Sequence, residues 1–152
     1  MTIRELRTDR DIREAFRLMA SLRDRIREET FLQEVRRQQI EGYRLFGGFD
    51  GERLVCLAGA RRTHTLARGE HLFVDHLVTL VTERGKGRGA EMLAWLEERS
   101  RAEGLPKIYL DSRATAKGFY EKVGFTFLTS IPCWKEVAPP SDRTPTGQGR
   151  GS

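Results

Sequence analysis

The chain has 152 residues, 38% of them hydrophobic and 32% charged, which suits one globular domain with a sizeable buried core. Its formal net charge is +5, and its 27 Lys and Arg residues are spread along the chain, a balance that favours an anionic ligand or partner without specifying one. Two distant cysteines, Cys56 and Cys133, exclude a disulfide framework and a paired metal motif, and the lack of a signal-peptide pattern or a membrane-length apolar run predicts a cytoplasmic protein.

Residues 1–42 predict a short strand followed by two amphipathic helices. The strand covers residues 3–6, and Thr8 is placed to cap the first helix. The apolar side chains of that helix recur at helical spacing, at Ile12, Ala15, Phe16, Met19, Leu22 and Ile26. Thr30 and Gln33 form a capping-box pattern for the second helix. The residues of this helix expected to point inward are Leu32, Val35 and Ile40.

Two strands come next, at residues 43–49 and 53–65. They are joined by Asp50-Gly51, which is a strong signal for a tight hairpin. Their expected core residues are Leu45, Phe49, Leu54, Val55, Leu57 and Ala58. Toward the end of the second strand the pattern becomes polar, and the residues expected to be exposed there are Arg61, Arg62 and His64.

The strand predicted at residues 71–80 is apolar enough to be buried on both faces, yet it contains chemically active side chains. Alternation places His71, Phe73, Asp75, Leu77 and Thr79 on one face and Leu72, Val74, His76 and Val78 on the other. A carboxylate here is costly unless it is paired or used, so Asp75 is either a base for an incoming ammonium or a residue fixed by an Arg or an amide. His76 is either a base or proton relay, or a hydrogen-bonded structural residue.

A glycine-rich turn follows this strand and leads directly into a helix. Gly85, Gly87 and Gly89 alternate with Lys86 and Arg88, so the backbone can turn tightly and approach a ligand without a Cβ in the way. The unpaired N–H groups and positive dipole end of the next helix favour an anion such as a pyrophosphate at this turn. The spacing matches neither the P-loop nor the dinucleotide fingerprint, and a tight turn without a ligand is the alternative.

Two segments of the chain resemble the signatures of one family. The run Arg84-x-x-Gly87-x-Gly89 is similar to the acyl-CoA-binding signature of the GNAT superfamily of N-acetyltransferases, Gln/Arg-x-x-Gly-x-Gly/Ala, which lies between a strand and a helix. A strand predicted at residues 107–112 then leads to residues 116–125, AKGFYEKVGF, which resemble the family segment Ala-x-x-Phe-Tyr-x-x-x-Gly-Phe. Both segments occur in the expected order, and the resemblance covers residues 1–137 as a single domain.

The resemblance implies an α/β (α+β) fold, with a mixed, mostly antiparallel, twisted sheet flanked by helices, and acetyl-CoA as co-substrate without a metal. The residues that would hold its phosphates are Arg84, Gly85, Lys86, Gly87, Arg88, Gly89 and Ala90. The pantetheine arm would pair like an added strand with the backbone at Leu77, Val78 and Thr79, where the fourth and fifth strands part. Arg113 stands where many members have a pantetheine-binding Asn, and Lys117 is a further candidate contact.

For catalysis the resemblance points to Tyr120, which would protonate the departing CoA thiolate. A phenol with a pKa of about 10 stays protonated at pH 7 and can donate to a thiolate whose acid has a pKa of about 8.5. The alternative is a Tyr packed in the core. Base assistance would come from Asp75, His76 or a water, although the related subgroup is expected to have an acid at position 76. Holding amine and thioester together would supply most of the rate.

The end of the chain predicts two more strands, at residues 126–130 and 133–137. Residues 138–152 are rich in Pro, Gly, Ser and Thr without periodic apolar residues, which predicts a disordered tail. Dimers are common in the family, so the resemblance is compatible with a homodimer.

The sequence leaves the acceptor open between small-molecule and peptide amines. Asp75, Glu28 and Glu29 would suit a cationic amine if they line the pocket. We expect neither a nucleic-acid nor a membrane partner. Two other functions stay open: a non-catalytic acyl-CoA-binding module, against which Tyr120 argues, and a basic nucleic-acid-binding domain, for which a concentrated basic stripe with stacking aromatics is missing.

Overall fold

The computed structural model describes residues 1–140 and forms these into a five-stranded sheet flanked by helices. The strands are β1 (Thr2–Glu5), β2 (Tyr43–Asp50), β3 (Arg53–Thr65), β4 (Gly69–Thr79) and β5 (Ile108–Leu110). They lie in the sheet in chain order, β1 to β4 as antiparallel neighbours and β5 parallel to β4. The mixed, mostly antiparallel sheet confirms the fold class expected from the sequence.

The helices of the described part are α1 (Asp9–Ala20), α2 (Glu28–Ile40), α3 (Arg88–Ala102) and α4 (Lys117–Lys122), with 3-10 turns at Val81–Glu83 and Ala114–Ala116. Thr8 caps α1 as predicted, since its hydroxyl oxygen accepts a hydrogen bond from the N–H of Asp11 at 3.1 Å.

The predicted start of α2 was wrong. The helix begins before Thr30, with Arg27 as N-cap and no side-chain capping bond, and the Thr30 hydroxyl donates instead to the Glu34 carboxylate at 2.8 Å. The buried residues of α2 are Phe31 and Val35, four positions apart on one face. Ile40 is 88% exposed, because a residue five positions beyond Val35 falls off that face.

Helices cover both faces of the sheet and form two hydrophobic cores. On one face α1 and α2 pack on the sheet; residues of this core include Leu6, Ile12, Ala15, Phe31, Val35, Tyr43, Leu45, Leu57 and Val78. On the other face α3 and α4 contribute; residues of this core include Phe46, Cys56, Ala58, Leu72, Val74, Met92, Leu96 and Tyr120. β2 and β3 are buried along most of their length, so their side chains contribute to both cores at once.

A bulge in β4 overturns the strict alternation predicted for this strand. Gly59 pairs with His76 and Ala60 with Val74, so Asp75 is an extra residue with no partner of its own in β3. Side chains beyond it change faces. Val74 lies in the core under α3, whereas Val78 lies in the core under α1 and α2.

The strands predicted at residues 126–130 and 133–137 are not formed. Residues 126–140 are irregular and exposed, and β5 keeps a free outer edge among the described residues. The exposed apolar side chains of this segment are Phe127, Leu128, Ile131, Trp134 and Val137. Of the tail predicted to be disordered, residues 141–152 lie outside the described part of the chain. None of the described helices is both long and apolar enough to span a bilayer.

Candidate active site

β4 and β5 part after three residue pairs and leave a gap between them. The pairs are Leu72 with Ile108, Phe73 with Tyr109 and Val74 with Leu110. Beyond the gap, the N–H of Leu80 donates to the carbonyl of Val55 at 2.9 Å, and hydrogen-bonded positions alternate along an antiparallel pair. Val78 therefore directs its backbone groups toward β3, whereas Leu77 and Thr79 direct theirs into the gap. Two of the three predicted pantetheine contacts have backbone groups available there.

The glycine-rich turn lies where the gap meets the N-terminus of α3. Gly85 and Gly87 have φ angles of +78° and +76°, which side chains rarely adopt, and Gly87 is the N-cap of α3. The N–H of Glu91 donates to the carbonyl of Gly87 at 3.0 Å, so the N–H groups of residues 88–90 precede the first intrahelical bond. Arg84 is exposed and forms no ion pair within residues 1–140. This turn has the geometry of an anion site.

The buried carboxylate of Glu83 organises the cations of this turn. It accepts from Lys86 Nζ at 3.1 Å and from Arg88 Nε at 3.3 Å, and it lies 3.6 Å from Arg53. The Lys86 ammonium, followed by Arg88, holds the pKa of Glu83 below its usual range. Arg88 also donates to Asp50 at 3.0 Å. Lys86 and Arg88 therefore stabilise the turn through Glu83. Glu83 was not identified from the sequence, because only its burial distinguishes it from the other acidic residues.

Asp75 is paired with an arginine that was predicted to be exposed. Arg61 donates from Nε and from its terminal amino group to the two oxygens of Asp75, at 3.0 and 2.9 Å. This bidentate pair is the structural alternative that the sequence left open for Asp75. Arg61 pairs with Phe73 across the strands, so it lies on the face that alternation already gives to Asp75. The bulge then brings the next residue, His76, to the same face.

His76 projects to the same face as Asp75 and contacts a second arginine. Its ring lies edge-on to Tyr43, 6.0 Å between centroids, and its Nδ1 accepts from Arg23 Nε at 3.2 Å. Burial, with the adjacent Arg23 charge, lowers the pKa of His76 to about 4. The imidazole is thus neutral at pH 7, and the lone pair of Nδ1 is engaged by a guanidinium.

Tyr120 lies on α4 and is almost fully buried. Its ring packs edge-on against Phe119 and Phe125, with centroids 5.0 and 5.6 Å apart. Burial alone raises the pKa of the phenol, so it stays protonated well above neutral pH. Phe119 in turn approaches Gly89, where an added Cβ would lie 3.2 Å from the ring, so α4 packs directly on the start of α3.

Two cavities meet at the gap from opposite sides. A larger one of about 1210 Å³ lies on the α3 side and is lined by Ala90 and Tyr120, among others. A smaller one of about 500 Å³ lies on the α1 side and is lined by Asp75 and His76, among others. The residues that line both cavities are Phe73, Asp111 and Ser112. The two cavities therefore adjoin where β5 ends and the gap begins.

The two basic residues predicted after β5 lie in different places. Arg113 lines the smaller cavity, and its terminal amino group donates to the carbonyl of Leu22 at 3.1 Å. Lys117 is exposed, 4.0 Å from Glu121, and its ammonium lies over the Phe127 ring at 5.1 Å. Arg113 therefore faces the cavity opposite the one that contains Tyr120.

Comparison with known proteins bears on this arrangement. The model of a family described as Acetyltransferase (GNAT) family matches residues 10–125. The chain belongs to the GNAT acetyltransferase family. This acetyltransferase is 33% identical over 129 residues, 82% of its chain and 91% of the other, to YhdJ of Bacillus subtilis (strain 168), an uncharacterized N-acetyltransferase.

Solved structures share the fold of this GNAT protein. The aminoglycoside 6'-N-acetyltransferase AAC(6')-IG from Acinetobacter haemolyticus is 12% identical with a TM-score of 0.77, covering 91% of this chain and 100% of that chain. The aminoglycoside N-acetyltransferase AAC(6')-Iy, solved in complex with CoA, is 14% identical with a TM-score of 0.76, covering 90% and 95%. At these identities the likeness concerns the fold alone.

Proposed function

We propose that this GNAT protein transfers the acetyl group of acetyl-CoA directly to a primary amine. The observation that carries the proposal is the gap between β4 and β5, which has the glycine-rich turn before α3 at one end and a cavity on each side. The phosphates would bind the N–H groups of residues 88–90, and the pantetheine arm would pair with Leu77 and Thr79. Residues 1–137 would act as one domain.

In the proposed reaction the amine nitrogen attacks the thioester carbonyl, a C–N bond forms and the C–S bond breaks. The Tyr120 hydroxyl would give its proton to the departing thiolate. Burial raises the pKa of this phenol, so it is protonated when the thiolate leaves. The attacking amine must first lose a proton. Asp75 and His76 face the acceptor side, but each would have to release an arginine before accepting it.

The proposed acceptor is a small molecule. The smaller cavity, of about 500 Å³, has the volume of a typical small-molecule site and lies on the side of the gap away from α3. Positioning the amine against the thioester would supply the greater part of the rate, since proximity alone contributes about 7–11 kcal/mol in well-oriented reactions.

The test is thiol release from acetyl-CoA with a panel of amines, on wild type and Tyr120→Phe. We expect wild type to release CoA with at least one amine and Tyr120→Phe to lose about 10²-fold in kcat, the low end for a general acid. Tyr109→Phe likewise removes a tyrosine hydroxyl, in this case from β5, and serves as the matched control. Acetyl-CoA should raise the melting temperature of all three proteins.

Each outcome separates the possibilities. Stabilisation by acetyl-CoA without turnover of any amine would favour a non-catalytic acyl-CoA-binding module. Full activity of Tyr120→Phe would remove Tyr120 from the mechanism. No stabilisation of folded wild type by acetyl-CoA would refute the proposed function itself.

A further inference from the structure

The smaller cavity gathers arginines from three separate parts of the chain. Arg23 lies in the loop after α1, Arg61 on β3 and Arg113 in the segment after β5, and all three line the cavity. The carboxylates in its lining are those of Asp75 and Asp111. Glu28 and Glu29, which the sequence suggested for a cationic amine, are not part of the lining.

The positive charge of this cavity is only partly balanced. Arg61 and Asp75 neutralise each other through their bidentate pair. His76 is neutral at pH 7 because its pKa is lowered to about 4. Two guanidiniums and one carboxylate, those of Arg23, Arg113 and Asp111, then remain, and none of the three takes part in an ion pair within residues 1–140.

The two unpaired guanidiniums are held in place by neutral acceptors. Arg23 donates to His76 Nδ1 at 3.2 Å and to the carbonyl of Asp75 at 2.9 Å, while Arg113 donates to the carbonyl of Leu22 at 3.1 Å. A guanidinium has five N–H donors, so each keeps donors for a ligand. Fixed, uncompensated guanidiniums suit a carboxylate or phosphate, which they can bind with paired hydrogen bonds.

We propose that the acetyl acceptor is an amine that also carries an anionic oxygen group, a carboxylate or a phosphate, bound by Arg23 and Arg113. The carboxylate of Asp111, at the junction of the two cavities, would attract the ammonium end toward the gap. This inference rests on the proposed acetyltransferase function and specifies its substrate class.

The test compares acceptors that differ only in the anionic group. The pairs are phosphoethanolamine with ethanolamine, and 4-aminobutyrate with butylamine, so a phosphate and a carboxylate are tested separately. We expect wild type to favour the anionic member of at least one pair by about 10-fold or more in kcat/KM, the scale of one charge-assisted hydrogen bond. Calorimetric titration of the CoA-saturated protein with the same four compounds measures the preference without turnover.

Variants locate the preference in the cavity. Arg23→Gln and Arg113→Gln should each reduce the ratio between the members of a pair by about 10-fold, chiefly through a raised KM for the anionic member. The ratio within a pair is the quantity to compare, because Arg23→Gln also frees Nδ1 of His76 and so acts on both members of a pair. Arg13→Gln removes an exposed arginine of α1 that does not line the cavity and is the matched control.

The outcomes distinguish this inference from the proposed function. Equal or better binding and turnover of the members without an anionic group would overturn the substrate class while leaving the acetyltransferase intact, as would an anionic preference that survives both variants. Failure of acetyl-CoA to stabilise the folded protein would instead refute the proposed function. A preference in titration that both variants abolish would support the anion site even where turnover is slow.

Discussion

Gly87 is the residue whose replacement tests the glycine-rich turn and its proposed phosphate binding most directly. Its φ of +76° and ψ of +10° place it in the left-handed region, and no atom lies within 4 Å of the position that a Cβ would occupy. Gly87→Ala therefore adds backbone strain without a steric clash. Gly118 also has open space around it but lacks a positive φ, so Gly118→Ala is the matched control.

The expected cost follows from the backbone angle. A left-handed conformation costs a residue with a Cβ about 1–2 kcal/mol, and the reduced entropy of the unfolded chain returns about 0.4–1 kcal/mol. We expect Gly87→Ala to lower the free energy of unfolding by about 1 kcal/mol, which is a fall of about 2–4 °C in melting temperature at this chain length. Gly87→Asn should cost less, because Asn tolerates this region.

Thermal melts with and without acetyl-CoA separate strain from binding. A ligand at 100 times its dissociation constant stabilises the native state by about 2.7 kcal/mol. We expect Gly87→Ala, whose Cβ disfavours the left-handed conformation of the turn, to gain less than wild type at the same acetyl-CoA concentration. Gly118→Ala should gain as much as wild type. A Gly87→Ala protein as stable as wild type and stabilised equally by acetyl-CoA would refute the assignment of this turn.

Two further variants test the packing around β4. Because the folded-state pKa of His76 is about 4, below its unfolded value of about 6.5, the unfolded state alone binds a proton between these values, and stability falls as pH drops through this window. Partial exposure of His76 reduces the size of this effect. We expect the free energy of unfolding to fall between pH 7 and pH 5 by about 1 kcal/mol less in His76→Gln than in wild type. Denaturant titrations at the two pH values measure this difference, and equal falls in both proteins would contradict it. Gly59→Ala would place a Cβ 2.7 Å from the Tyr43 ring carbons and should cost about 1–3 kcal/mol, so a chemical-denaturation midpoint unchanged from wild type would show that Tyr43 can move aside.

The elements that local chemistry controls were predictable. The Thr8 cap, the hairpin at Asp50-Gly51 and the helix after the glycine turn depend on residues near one another in the chain, and the structure confirms all three. The strands predicted at residues 126–130 and 133–137 are not formed, although β5 keeps a free outer edge among the described residues. Strand-forming residues in a short segment therefore do not determine whether that segment pairs, because pairing depends on its packing context.

Within the site, the sequence identified residues but not their partners. Asp75 and His76 were found from their polarity in an apolar strand, yet the bulge that turns both to one face comes from the pairing of β4 with β3. The partners Arg61 and Arg23 arrive from β3 and from the loop after α1. No pattern along the chain links these four residues.

By itself the sequence determined the fold class, the glycine turn before α3 and the family, because each depends on periodicity or on spacing within a short segment. The tertiary structure decided the charge of the smaller cavity, since that charge depends on which acid each arginine meets. Arg61 meets Asp75 and is neutralised, whereas Arg23 and Arg113 meet neutral acceptors and keep their charge. An ion pair forms only where two charged side chains lie close together, and these side chains come from segments that are remote in sequence. Only folding of the chain brings such segments close enough for the pair to form.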